Sequence, residues 1–235
     1  MRQHIAFLHT SPVHVETFDR LVKASNPSVR VEHIVAEDLL EDAQRVGAND
    51  PALVNRIQTA MAGAAANGAA IVVCTCSTIG GPAERTSTRT GFAAVRIDRA
   101  MADRAVELGP RILIVAALES TLGPTTQLIQ ESAAALRSKV DVEHLLVPHA
   151  WSHFQRGDRL AYLEAVAAAV RAESRPVNVV VLAQASMAPV AESLNDLGIE
   201  VLASPDLGVQ RVLAHLRNGC RDNAPSSPPT RSASP

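Results

Sequence analysis

Short β-branched runs alternate with alanine-rich stretches of helical length along almost the whole 235-residue chain. That rhythm restricts the fold more than any other feature. The runs fall at 4–9, 29–35, 70–76, 111–117, 140–147, 177–183 and 199–202. Helix-length segments lie near 13–26, 52–67, 98–108, 121–137, 157–172, 187–197 and 205–217. Strands alternating with helices predict βαβ units and parallel sheets. Aromatic residues make up 3% of the chain, so the core must be packed from Ala, Val, Leu and Ile.

The rhythm also repeats. Ile5-Ala6-Phe7-Leu8 is echoed by Ile112-Leu113-Ile114-Val115, and Val31-Glu32-His33-Ile34-Val35 by Val142-Glu143-His144-Leu145-Leu146. Ile71-Val72-Val73-Cys74-Thr75-Cys76 is echoed by Val179-Val180-Val181-Leu182-Ala183-Gln184. Three matches in the same order point to a duplication. The expected architecture is α/β: two pseudo-symmetric lobes, each a mostly parallel sheet flanked by helices, with the active site in the interlobe cleft. Lobe one is expected over 1–97 plus a returning helix at 205–217, and lobe two over 98–204. The segment 218–235 is rich in Pro and Ser with little apolar matter, and reads as a disordered tail.

Composition excludes several classes of function. The formal net charge is −2 and no basic cluster stands out, which argues against a nucleic-acid partner. No apolar run approaches the roughly 18–20 residues of a membrane span. Three cysteines do not make a disulfide framework, so a cytoplasmic location is expected. Met1 to His9 reads as a first strand rather than a signal peptide. Assembly into a homo-oligomer is left open.

The chemistry concentrates in Val72-Val73-Cys74-Thr75-Cys76-Ser77-Thr78-Ile79-Gly80-Gly81. A buried strand ends here on a thiol, two hydroxyls and a glycine pair, just before a helix. Cys76 at the strand end is the candidate nucleophile or acid/base, its thiol favoured by the positive end of that helix. Cys74, two residues back, belongs to the strand core. The pair does not make a metal site, because no second Cys/His pair follows and Cys220 lies at the edge of the tail. Gln184 holds the equivalent place in the second repeat and faces the same cleft.

Thr10, Ser11, Ser77, Thr78, Ser120, Thr121 and Ser186 all fall near strand-to-helix junctions. They read either as helix N-caps or as a ring of donors around a substrate carboxylate. His33 and His144 fall inside strands, whereas His9, His14, His149 and His153 are candidates for a proton-transfer partner of Cys76. Trp151 and Phe154 read as packing under a loop or as an apolar wall for substrate. Arg85, Arg89 and Arg96 read as a solvated surface helix, with Arg96 and Asp98 as a local ion pair and Asp98 capping the next helix. No glycine-rich dinucleotide fingerprint follows the first strand, and no lysine stands at a candidate site to anchor pyridoxal phosphate. No cofactor is therefore expected.

Cys76-Ser77-Thr78 resembles the first Cys-Asn/Ser-Thr motif of the aspartate/glutamate racemase superfamily. Glu119-Ser120-Thr121 through Thr125-Thr126 resembles the start of its second lobe. The superfamily includes hydantoin racemases, maleate cis–trans isomerases and arylmalonate decarboxylases, and the resemblance covers roughly residues 3–217. It implies a two-lobed, cofactor-independent enzyme in which two cysteines face each other across the substrate. Ala183-Gln184-Ala185-Ser186-Met187 departs from the second motif, since Gln184 stands where the second cysteine would be. An amide does not transfer protons near neutral pH. His9-Thr10-Ser11 departs too, because glutamate racemases typically carry an acidic residue before that serine. The resemblance thus implies a racemase or isomerase acting on a small carboxylate-bearing substrate through Cys76. A single-cysteine decarboxylase or cis–trans isomerase is the alternative, and a non-catalytic carboxylate-binding protein a second one.

Overall fold

The computed structural model describes residues 4–86 and 92–222, with side chains described up to residue 218. Arg89, and the part of the expected tail from 223 onward, lie outside the described residues. The strands form two separate four-stranded sheets. The first contains β1 (His4–His9), β2 (Arg30–Val35), β3 (Ile71–Cys74) and β4 (Ala93–Arg96), in the order β2-β1-β3-β4. The second contains β5 (Arg111–Ala116), β6 (Asp141–Leu146), β7 (Val179–Leu182) and β8 (Glu200–Ala203), in the order β6-β5-β7-β8. Every pairing is parallel.

The repeat seen in the sequence is therefore a repeat of topology and of register. Leu8 pairs with Cys74 in the first sheet, and Val115 with Leu182 in the second. Cys76 and Gln184 each stand two residues beyond the last residue of their strand. They occupy equivalent positions in the two lobes.

Helices cover both faces of each sheet, as parallel strands require. Strand alternation sends Ala6, Leu8, Val72 and Cys74 to one face of the first sheet. There they meet α2 (Asp38–Val46), α3 (Pro51–Ala66) and α4 (Gly80–Glu84). Ile5, Phe7, Ile71 and Val73 face the other way, onto α1 (His14–Ser25) and α10 (Ser204–Asp222). In the second sheet Ile112, Ile114 and Val181 pack on α5 (Arg99–Leu108) and α6 (Glu119–Ala135). Leu113, Val115 and Leu182 pack beneath α7 (Pro148–Gln155), α8 (Arg159–Ala172) and α9 (Ala188–Ser193). Gly208 lets α10 close down on the segment before α5. A Cβ there would lie 2.2 Å from the Ile97 carbonyl oxygen, so a side chain is excluded.

Four elements were not expected from the sequence. β4 is only Ala93-Ala94-Val95-Arg96, four residues with a single β-branched side chain and too short to announce a strand. α2 is nine residues long and carries three acidic groups, and α4 and α7 have five and eight residues. The expected helix at 187–197 is broken into α9 and flanking 3₁₀ turns at Ala185–Met187 and Asn195–Leu197. Among the described residues, no helix is long and apolar enough to cross a membrane.

Candidate active site

The carboxyl ends of β1 and β3 face those of β5 and β7, and a cavity of about 40 Å³ lies between them. Ligands of open parallel sheets bind at this end of the strands. Lobe one contributes Thr10, Ser11, His14, Cys76, Ser77 and Thr78 to its wall. Lobe two contributes Thr121, Trp151, Phe154, Gln184 and Ser186. Among the described residues, Cys76 and His14 are the titratable side chains that line it.

Local chain geometry explains how Cys76 reaches the cavity. The β3 ladder closes as Thr75 N–H donates to the Leu8 carbonyl at 3.0 Å and Ile97 N–H to the Cys74 carbonyl at 3.0 Å. Cys74 stays in the core, its thiol 3.6 Å from the Cys76 carbonyl oxygen. Burial first, and the neighbouring Cys76 second, push the Cys74 thiol well above its ordinary pKa. Beyond the ladder the chain turns, and Cys76 emerges half-buried. The helix that follows is α4, only five residues long. Its dipole is correspondingly short, weaker than the one a full helix supplies.

The loop that carries Cys76 is held from beneath by an ion pair. Arg96 sits buried in β4 rather than on the solvated surface helix expected from the sequence. Its Nε and Nη2 donate to the two carboxylate oxygens of Asp98 at 2.7 and 2.9 Å. Nη2 also donates to the Ser77 carbonyl at 3.3 Å, and the Ser77 hydroxyl donates to Asp98. Asp98 stands at the N-cap of α5 but makes no side-chain cap bond, since its oxygens are committed to Arg96 and Ser77. Against a full desolvation cost, Arg96 holds the Asp98 carboxyl below the ordinary range. A Cβ on Gly80 would lie 2.9–3.1 Å from three guanidinium atoms, so the glycine lets Arg96 tuck under the turn. Arg85 is at the end of α4 and donates to Asn49.

Gln184 is fixed as firmly on the other side. Its Oε1 accepts from the backbone N–H of Ala117 at 2.7 Å. This ties the end of β7 to the residue just after β5. The hydroxyls bridge the cleft or brace it. Thr78 Oγ1 lies 3.1 Å from Thr121 Oγ1, a direct bond between the lobes. Ser186 Oγ lies 2.8 Å from the Tyr162 hydroxyl. None of these hydroxyls is a helix cap. The N-caps of α1, α4 and α6 are Val13, Ile79 and Leu118, each without a side-chain cap bond. Ser120 does not line the cavity; its Oγ is buried without a hydrogen-bond partner.

The four candidate histidines separate. His14 lines the cavity, and burial, with Arg159 second, lowers its pKa to about 4. His9 lies behind the wall, with Nδ1 2.8 Å from Thr75 Oγ1 and Nε2 2.8 Å from His33 Nδ1. Burial, then His33 and His14, lowers its pKa to about 3. His33 Nε2 in turn stands 3.9 Å from Asp19. His149 is exposed and His153 partners Arg156, and neither lines the cavity. Trp151 and Phe154 stack at 4.7 Å and form the apolar wall. His144 bonds Thr126 at 2.8 Å, away from the cavity.

Two parallel-sheet lobes, joined across a small cleft by strand-end residues, define a two-lobed α/β enzyme. Residues 9–212 match the Asp/Glu/hydantoin racemase family, and the chain belongs to that family. Its members are cofactor-independent racemases, a kind of isomerase. The fold is similar to that of glutamate racemase from Thermus thermophilus, with 17% identity over 93% of this chain and 82% of that one and a TM-score of 0.64. Aspartate racemase from Picrophilus torridus gives 13% identity over 92% and 94%, with a TM-score of 0.66. Allantoin racemase from Klebsiella pneumoniae gives 18% identity over 92% and 89%, with a TM-score of 0.59. Comparison with curated protein sequences returned no match.

Sequence reasoning missed Leu40 of α2 in the cavity wall, the buried role of Arg96, and the Thr75–His9–His33 chain. The one available signal was the spacing Arg96-Ile97-Asp98, which announced the ion pair but not its burial.

Proposed function

We propose that this cleft exchanges a carbon-bound proton of a small carboxylate-bearing substrate, with Cys76 as its single thiol. The observation that supports the reading most directly is the pairing of Cys76 with Gln184 at equivalent strand ends lining one cavity. Gln184 orients and donates, but carries no transferable proton near neutral pH. His14 is assigned the second transfer, as the other titratable group at the cavity wall. With both groups neutral, the imidazole accepts the substrate proton and the thiol donates from its own side. The reverse direction starts from the thiolate and the imidazolium. The negative charge that develops on the carboxylate oxygens is met by the hydroxyls of Ser11, Thr78 and Thr121. Preorganised donors of this kind account for much of the barrier lowering in such reactions. Thr10, Ser77 and Ser186 complete the binding surface.

A second reading rests on the same asymmetry. Decarboxylation of a malonate, or cis–trans isomerisation through a Cys76 adduct, needs one thiol only. A panel of amino acids, hydantoins, maleate and arylmalonates separates these outcomes when products are resolved by chiral chromatography. The proposal expects inversion at a carbon next to a carboxylate or its cyclic amide, and loss of it in Cys76→Ala. Turnover that survives in Cys76→Ala overturns it.

A further inference from the structure

The cavity at Cys76 has room for about three water molecules, enough for a carboxylate and its reacting carbon and little more. It does not end there. His14, Phe154, Ala185 and Ser186 are also walls of a second pocket of about 450 Å³. That is the size of a pocket that holds a whole organic ligand. It runs between α1 of lobe one and α8 and α9 of lobe two. Val13, Leu21, Phe154 and Pro189 supply apolar surface. Arg20 on α1 and Arg159 at the start of α8 face it from opposite lobes.

We infer that this pocket is a subsite for the distal part of the substrate: an apolar arm that ends in a second anionic group, held between Arg20 and Arg159. The inference rests on the reading of Cys76 as the reacting centre. Neither guanidinium has an ion pair or hydrogen bond to a protein side chain among the described residues, whereas Arg45, Arg56, Arg99, Arg104, Arg171 and Arg175 all do. Glu192 and Asp206 line the same pocket and likewise have no ion pair among the described residues. The anionic end is placed on the arginine side because Arg159 opens α8, the helix whose Tyr162 bonds Ser186 on the wall that the pocket shares with the cavity. An arm leaving the Cys76 cavity past His14 meets that positive charge first. Two guanidiniums from opposite lobes on one anion would also draw the lobes together around the reacting carbon.

Isothermal titration of the full chain tests this with succinate, suberate, octanoate and 8-aminooctanoate. Suberate is expected to bind at least tenfold more tightly than octanoate, 8-aminooctanoate or succinate. Arg20→Ala with Arg159→Ala should remove that tenfold advantage and leave succinate within about twofold. Circular dichroism of the double variant checks that it folds; Arg20→Gln with Arg159→Gln is the second variant if it does not. Suberate no tighter than octanoate, an advantage that survives in both double variants, or tighter binding of 8-aminooctanoate overturns the inference. Protection of Cys76 from iodoacetamide is read in parallel. Suberate that binds through the arginines but leaves Cys76 unprotected keeps the pocket and overturns the Cys76 reading instead.

Discussion

Gln184 turns its amide oxygen onto the backbone N–H of Ala117, 2.7 Å away, at the strand end that mirrors Cys76. The residue that replaces a facing thiol is thus built into the sheet ends rather than left loose in the cleft. In the His14→Gln background, which lacks the second transfer group, Gln184→Cys places a thiol opposite Cys76 and should raise racemisation of a small amino acid or hydantoin by about 10²–10⁴-fold, the range of one general acid/base group. It should also cost about 1 kcal/mol in stability, because the Ala117 N–H loses its acceptor. Chiral chromatography of time courses and urea melts read both effects. A Gln184→Cys, His14→Gln chain no faster than His14→Gln alone contradicts the account.

The two cysteines should differ sharply toward iodoacetamide. Cys76 is half-buried at the cavity wall, while Cys74 is buried with its thiol pKa pushed up. The thiolate is the reacting form, so Cys76 should alkylate much faster, and a small dicarboxylate should slow it. Peptide mapping by mass spectrometry resolves each site, with Cys220 scored separately. Labelling of Cys74 first, or labelling of Cys76 indifferent to ligand, contradicts the assignment.

Arg96 and Asp98 form a buried pair, and breaking one partner strands the other. Arg96→Met should destabilise the fold by about 3–5 kcal/mol, whereas Arg96→Met with Asp98→Leu should recover a good part of it. Thermal denaturation of both variants decides this. An Arg96→Met variant as stable as the native chain would show that the turn does not depend on the pair. Activity should fall in both variants, since the pair holds the Ser77 carbonyl beside Cys76.

Stability should depend on pH through His9 and His14. Unfolded, both titrate near 6.5; folded, His9 lies at about 3 and His14 at about 4. Between those values the unfolded chain binds more protons, so stability is fully present above about pH 6.5 and is lost as pH falls toward 4. At pH 5 the loss is about 2 kcal/mol per histidine. Carboxylates contribute little between pH 7 and 5, because their unfolded values lie near 4. Urea midpoints at pH 7 and pH 5 should therefore differ in the native chain and differ much less in His9→Gln with His14→Gln, where His33, also lowered by burial, remains. A native chain equally stable at both values contradicts the burial of neutral imidazoles.

Much of the fold was legible because strand alternation and helix length are local signals. All seven expected strands are present, and the echo of Ile71–Cys76 in Val179–Gln184 became an identical register. β4 escaped because it is four residues long with one β-branched side chain, and alanines read as helix as readily as strand. At the site, the cavity gathers Cys76, Gln184, Thr10, Ser11, Ser77, Thr78, Thr121 and Ser186, but not Ser120. Which histidine lines it, and that Arg96 turns inward, depend on contacts between residues far apart in sequence. Spacing carries no record of those.

Proton exchange at carbon is the central claim, and solvent deuterium reports it directly. Each panel compound is incubated with the native chain, Cys76→Ala and His14→Gln in D₂O, and proton NMR follows the signal next to the carboxylate. The account predicts that deuterium replaces this proton in at least one compound with the native chain. Exchange should fall in Cys76→Ala for one enantiomer and in His14→Gln for the other, so the two variants strike opposite hands of the substrate. Exchange that continues undiminished in Cys76→Ala would contradict the account.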